Sequence, residues 1–267
     1  MSKHGSARVV LAGAVIAATL AVAGCGGVPK GTRPDVPGEN AGGGTGAAAA
    51  SSRLSGTAQR GTPQGAAAAK SFAKANSIPF PVAVGNTWTY QTRAGGQTGR
   101  TTNRIVAAGP GPGGYRVAVS STTDFGGSAS TVVPVYTFYP NGTIGYPVSR
   151  VSGVPVTGFD IRWPDAAGLA SGKTYRSTLH IKGGDADVTV QGAGTTSVSV
   201  PAGTYRASVV TATITAQGQT IEVTVWIAQG TGPVKTEVVI RAPGGTDLTT
   251  NELLSFTKAV SVVGDGS

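Results

Sequence analysis

Most active sites are built from histidine, cysteine and paired carboxylates, and this chain offers few of them. Its two histidines are His4 and His180, and its one cysteine is Cys25. His180 falls in a strand-like run, Tyr175 to Ile181, out of phase with Leu179 and Ile181, which makes it a surface residue. One histidine without a thiol beside it cannot assemble the three or four nitrogen and sulfur ligands of a usual zinc site. No Gly-x-Ser-x-Gly elbow supports a Ser–His–Asp triad. Asp185 and Asp187 sit in Gly183-Gly184-Asp185-Ala186-Asp187, which lacks the further oxygens and distal Glu of a calcium loop and reads as a hairpin turn. Asp160 and Asp165 flank Arg162 and Trp163. Two carboxylates beside an aromatic are the minimum equipment of a glycosidase, although an ion pair at a strand end needs the same residues. Gly109 to Gly114 is interrupted by Pro110 and Pro112 and leads into a strand, so it makes no helix-terminal phosphate cradle. We therefore assign no catalytic, cofactor-binding or metal-ligating residue, and the chain implies no cofactor.

The aromatic residues offer binding rather than catalysis. Trp88, Tyr136, Phe138, Tyr146, Trp163 and Trp226 could together line a concave face, with Trp88 and Trp226 expected in the core. Tyr139, Tyr146 and Trp163 each precede a proline (Pro140, Pro147, Pro164), which places them at strand ends as candidate ligand contacts.

The elements that must position these residues are strands. Period-two alternation marks Tyr115 to Val119, Thr131 to Phe138, Val188 to Val190, Ser197 to Val200, Tyr205 to Ile214, Ile221 to Ile227 and Val234 to Ile240. Turn signals separate them, among them Pro140-Asn141-Gly142, Gln217-Gly218 and Gly230-Thr231-Gly232. Only Pro164 to Ala170 and Leu248 to Leu254 read as short helices. The expected fold is mainly β, with roughly ten to thirteen antiparallel strands in one curved sheet, half-barrel or sandwich. A faint repeat runs through it. Gly85-Asn86-Thr87-Trp88 returns as Gly172-Lys173-Thr174-Tyr175, Gly114-Tyr115-Arg116 as Thr204-Tyr205-Arg206, and Val135-Tyr136 as Val225-Trp226. Two similar meanders sharing one core would explain it, and chance in a Gly- and Thr-rich chain would explain it equally well.

Upstream of the strands the texture is different. Basic residues Lys3 and Arg8 precede an apolar run from Val9 to Ala23, too short to span a bilayer. This is the pattern of a secretory signal peptide over 1–24. Residues 25–76 are low in complexity, rich in Gly and Ala, and almost devoid of bulky apolar side chains, as a flexible tether would be. As a coil of that length its reach is on the order of 40 Å. Residues 77–262 form the β domain and 263–267 a tail. The formal charge is +9, yet residues 77–267 hold 13 basic and 10 acidic side chains, so most of the excess lies before the domain. With no basic run interleaved with aromatics, nucleic acid is not an expected partner.

Val22-Ala23-Gly24-Cys25 resembles the bacterial lipobox. The resemblance implies a diacylglyceryl group on Cys25, cleavage before it, further acylation (a palmitate-type lipid anchor) and a place on the outer face of the cell membrane. Two acyl chains give stable anchoring. Val84-Gly85-Asn86-Thr87-Trp88-Thr89-Tyr90, Val200-Pro201-Ala202-Gly203-Thr204-Tyr205 and Trp226 to Lys235 (WIAQGTGPVK) are similar to motifs of a loose, uncharacterised class of β-rich bacterial envelope lipoproteins, of actinobacterial type. That likeness covers most of 80–241 and implies a curved sheet or half-barrel but no reaction. Pro233 departs from it, where a larger apolar residue is expected. The functional expectation is a membrane-anchored, non-enzymatic domain that binds a lipid, glycan or protein at the envelope. One alternative is a cell-wall hydrolase using Asp160 and Asp165, and another is an assembly scaffold.

Overall fold

The computed structural model describes residues 81–151, 154–163, 168, 171–181 and 184–259. The signal segment, the lipobox with Cys25, the tether through residue 76, Asp165 and the 263–267 tail lie outside the described residues.

Thirteen strands follow one another: β1 (Thr87–Ala94), β2 (Gln97–Gly111), β3 (Gly114–Phe125), β4 (Ser128–Val132), β5 (Val135–Phe138), β6 (Ile144–Val151), β7 (Val154–Trp163), β8 (Thr174–Ile181), β9 (Gly184–Val200), β10 (Gly203–Ala216), β11 (Gln219–Ala228), β12 (Gly232–Ala242) and β13 (Gly245–Thr257). All belong to one antiparallel sheet, and the further pairing of β2 with β3 bends it into a nearly closed barrel. β4 and β5 keep a single register on β3, with Ser121 opposite Val132 and Ala118 opposite Val135. They are one strand interrupted at Val133-Pro134, where proline has no N–H to give the ladder. The ring therefore runs as a simple meander and returns where β1 pairs β13. Tight hairpins make this possible. At Gln217-Gly218, φ values of 49° and 74° give the turn whose twist matches its strands.

The alternation read from the sequence sorts side chains between the two faces. On β10, β11 and β12 the inward residues include Val210, Ala212, Ile214, Val223, Val225 and Val238, all buried. The outward faces carry Arg206, Glu222, Lys235, Glu237 and Arg241. Ion pairs cross that outer surface, Arg241 to Glu222 at 2.9 Å and Arg93 to Glu252 at 2.8 Å. An apolar inside and charged outside reverse the arrangement of a membrane-spanning barrel. One apolar cluster fills the interior and draws on strands from β1 round to β13.

The wall is uneven. β10 and β11 share ten residue pairs. Among the described residues β5 and β6 share only Thr137–Gly145 and Phe138–Ile144, and β7 meets β8 at Val156–Ile181 alone. The β6–β7 hairpin is thus lightly stitched on both flanks.

Several local expectations change. Leu248 to Leu254 is not a helix but part of β13, with Thr249, Asn251 and Leu253 buried and Leu248 53% exposed. Thr249, Asn251 and Leu253 alternate inward, and pairing with β12 and β1 overrides local propensity. Val188 to Val190 and Ser197 to Val200 belong to one 17-residue strand, β9. In the Pro164 to Ala170 stretch, Gly168 has helical backbone, as does Ser171 just beyond, and the segment closes by a Lys173 N–H bond to Gly168 O at 3.0 Å. Counting β4–β5 as one strand, six strands precede residue 164 and six follow it. The first two repeat landmarks fall on corresponding strands, β1 with β8 and β3 with β10. The third does not match in orientation: Tyr136 is buried, whereas Trp226 is flanked by inward Val225 and Ile227 and is half-buried beneath Lys235, whose Nζ lies 5.1 Å from the ring centroid.

Candidate functional site

Three stretches singled out in the sequence meet at one end of the barrel, the end where the described chain begins and finishes. Trp88 and Tyr90 alternate inward on β1 and are 4% and 1% exposed. The Trp88 indole N–H donates to Thr231 O at 2.6 Å, and the Tyr90 hydroxyl donates to Pro233 O at 2.9 Å. The β11–β12 turn is thereby latched over the mouth. The β9–β10 turn folds in beside it: Ala202 N–H donates to Leu253 O at 2.9 Å, and Leu253 is the ladder partner of Tyr90. That carbonyl lies at an irregularity, where the β1–β13 register shifts between Thr89 and Tyr90. Pro233 also sits at a bulge, between Trp226 and Ile227, where a missing N–H is tolerated. The departure noted in the sequence is therefore a working part of the latch.

Behind the turn lies a cavity of about 20 Å³. Its apolar walls come from Trp88 and Tyr90 on β1, Ile105 on β2, Val117 and Val119 on β3, Tyr136 and Phe138 on β5, and Pro233 at the start of β12. Asn103 is the one amide among them. The volume is enough for one water and too small for a chain of methylenes. Larger occupancy requires the Gly230–Pro233 turn to lift. Gly230 and Gly232 both have positive φ, 74° and 96°, so the turn is built from residues that change backbone conformation cheaply. Tyr115, beside Phe138 at the same end, is 5% exposed, and burial raises its phenol above the usual value.

The candidate residues from the sequence are dispersed rather than gathered. Trp163 is 1% exposed, among the largest fully buried side chains. Tyr139 is half-buried, with the Arg162 guanidinium 3.2 Å above its ring. Tyr146 and Asp160 lie on β6 and β7, where backbone pairing is described and side chains are not, and Asp165 is outside the described residues. The carboxylate pair therefore has no geometry here. His180 stands opposite Asp185 across the β8–β9 hairpin and bonds it through Nδ1 at 2.8 Å, both side chains being largely exposed. Asp187 is exposed on β9. Among the described residues, no group of three or more His, Cys, Asp or Glu is placed to hold a metal.

Sequence reasoning assigned Trp88 and Trp226 to the core, of which Trp226 is only half-buried; it noted Pro233 as a departure from a motif and gave Tyr90 and Ala202 no role beyond the motifs that hold them. The signal that could have found them was in view. The three quoted motifs each carry a turn or an aromatic with a free polar atom, and buried Trp and Tyr polar atoms take partners.

No protein-family model matches the chain, and no curated protein matches it. Among solved structures, a Bacteroides fragilis protein of YmcC-like fold, proposed to be exported, is similar at 18% identity with a TM-score of 0.43, covering 67% of this chain and 98% of that one. A proposed lipoprotein of Parabacteroides distasonis is similar at 16% identity with a TM-score of 0.43, covering 67% of this chain and 97% of that one.

Proposed function

We propose that this chain is an exported lipoprotein, held at the outer face of the cell membrane through Cys25, whose barrel is a non-enzymatic module that binds an apolar ligand behind the Gly230–Pro233 turn. The observation that supports the binding reading is the aromatic-walled cavity closed by a turn that two of its own wall residues hold down. The charged outer wall fits a barrel that works in water beside the membrane, with the lipid as its anchor.

Two measurements test the two parts. With lipidation at Cys25, metabolic palmitate label enters the protein and it sediments with membranes; Cys25→Ser loses the label and leaves the chain soluble. A Cys25→Ser protein that still sediments and carries label overturns the anchor. For the ligand, mass spectrometry of the chain purified from its own cells is expected to show a bound apolar compound released on denaturation. Absence of any such compound, together with no saturable uptake of an apolar fluorescent probe, overturns the binding reading.

A further inference from the structure

The interior wall around the cavity changes character with depth. Inward residues on β3 run Val117, Val119, Ser121, Thr123; on β2 they run Ile105, Asn103, Thr101; on β1 they run Trp88, Tyr90, Thr92. Asn103 stands opposite Ser121, and Thr101 opposite Thr123, so on neighbouring strands the wall turns from apolar to polar at one level. Most of the polar band is internally satisfied. Thr101 Oγ1 lies 2.7 Å from Thr92 Oγ1 and 2.9 Å from Thr123 Oγ1, and Thr92 donates to Asn251 Oδ1 at 2.7 Å. Ser121 is outside that chain: it is 2% exposed and its buried hydroxyl has no hydrogen-bond partner among the described residues. It is the next inward residue after Val119, which lines the cavity, and the ladder partner of Asn103, which also lines it. A buried hydroxyl left this way is a place for a polar atom from outside the chain.

Among the described residues the band on β1, β2 and β3 is also uncharged. Arg100, Arg104 and Asp124, on the same strands, are exposed on the other face. A carboxylate or phosphate brought to this level would be stripped of water with no counter-charge among the described residues of the wall.

We infer that the pocket takes a neutral amphiphile, its apolar tail against Trp88, Tyr136 and Phe138 and its uncharged hydroxyl or ester head at Ser121 beside Asn103. This rests on the pocket-binding reading above and narrows the ligand to a chemical class, that of acylglycerols and fatty alcohols rather than free fatty acids or phospholipids.

The test uses the chain with Cys25→Ser, so that no anchor lipid competes, and two probes with the same tail, monoolein and oleate, each titrated below its aggregation concentration with tryptophan emission as the signal. Monoolein is expected to bind saturably and oleate to bind at least roughly tenfold more weakly. Ser121→Ala and Ser121→Val are expected to weaken monoolein toward oleate and to leave oleate unchanged, with melting temperature checking the fold. Oleate binding as tightly as monoolein overturns the neutral-head class while the pocket reading stands. Unchanged discrimination in both Ser121 variants shows that the hydroxyl holds interior water only, and also overturns it. Failure of both probes, in this chain and in a Tyr90→Phe version with a weakened latch, removes the pocket reading as well.

Discussion

Trp88 and Tyr90 each combine an apolar ring in the barrel interior with a polar atom fixed to the backbone of a distant turn, 143 positions away. Tyr90→Phe keeps the ring and leaves Pro233 O without its donor, so we expect a loss of about 1–2 kcal/mol in urea unfolding. Uptake of an apolar probe should become faster in the same variant, because the turn has lost one of its two fastenings. Tyr115 adds a pH dependence. Burial raises its phenol above the ordinary value of about 10, so the folded chain keeps a proton that the unfolded chain gives up. That contribution to stability is fully present below pH ~10 and is lost as pH rises above it toward the folded-state value. Urea midpoints should fall on passing from pH 9 to pH 11 and fall less in Tyr115→Phe. At this scale the sequence showed little of the site. Trp88 was readable as core because a domain with few aromatics buries them, a ground that failed for the half-buried Trp226. The partners of the Trp88 indole N–H and of the Tyr90 hydroxyl were not, since each lies in a turn brought near only by ring closure.

The β6–β7 hairpin shows the limit of the same alternation for elements. Strand existence was legible from period two, and turns from Gly, Asn and Pro, for most of 87–257. How strongly a strand is paired depends on neighbours remote in sequence, and the two pairs on one flank and single pair on the other had no local signature. Backbone amides whose ladders are missing open locally at low cost. Hydrogen exchange followed by mass spectrometry should therefore show residues 144–163 exchanging well ahead of 203–242. Protection equal to that of β10–β12 would contradict the thin seam. The misread helix at Leu248 to Leu254 has the same origin: the segment lacks a clear period-two pattern of apolar residues, and only the flanking strands decide that Thr249, Asn251 and Leu253 turn inward.

For the whole molecule, the fold class was legible from composition and alternation, and near-closure of the ring was not, because it hangs on the β1–β13 ladder between the first and last strands. The six-plus-six arrangement does not make two domains. One apolar cluster joins Trp88 and Tyr115 to Ile214, Val225 and Leu253, so neither half has a core of its own. Urea unfolding followed by far-ultraviolet dichroism and by tryptophan emission should give coincident single transitions. Separated midpoints would mean that the halves fold independently.

Ala259 N–H donates to Asn86 Oδ1 at 2.8 Å, so both ends of the described chain leave the barrel together, at the end that carries the latched turn. Under the proposed anchoring at Cys25, any tension along the tether acts at that point. A pulled barrel then swings its gated end toward the bilayer and its far hairpins away from it. The seam that closes the ring would in this way also set which side of the molecule a membrane lipid meets first.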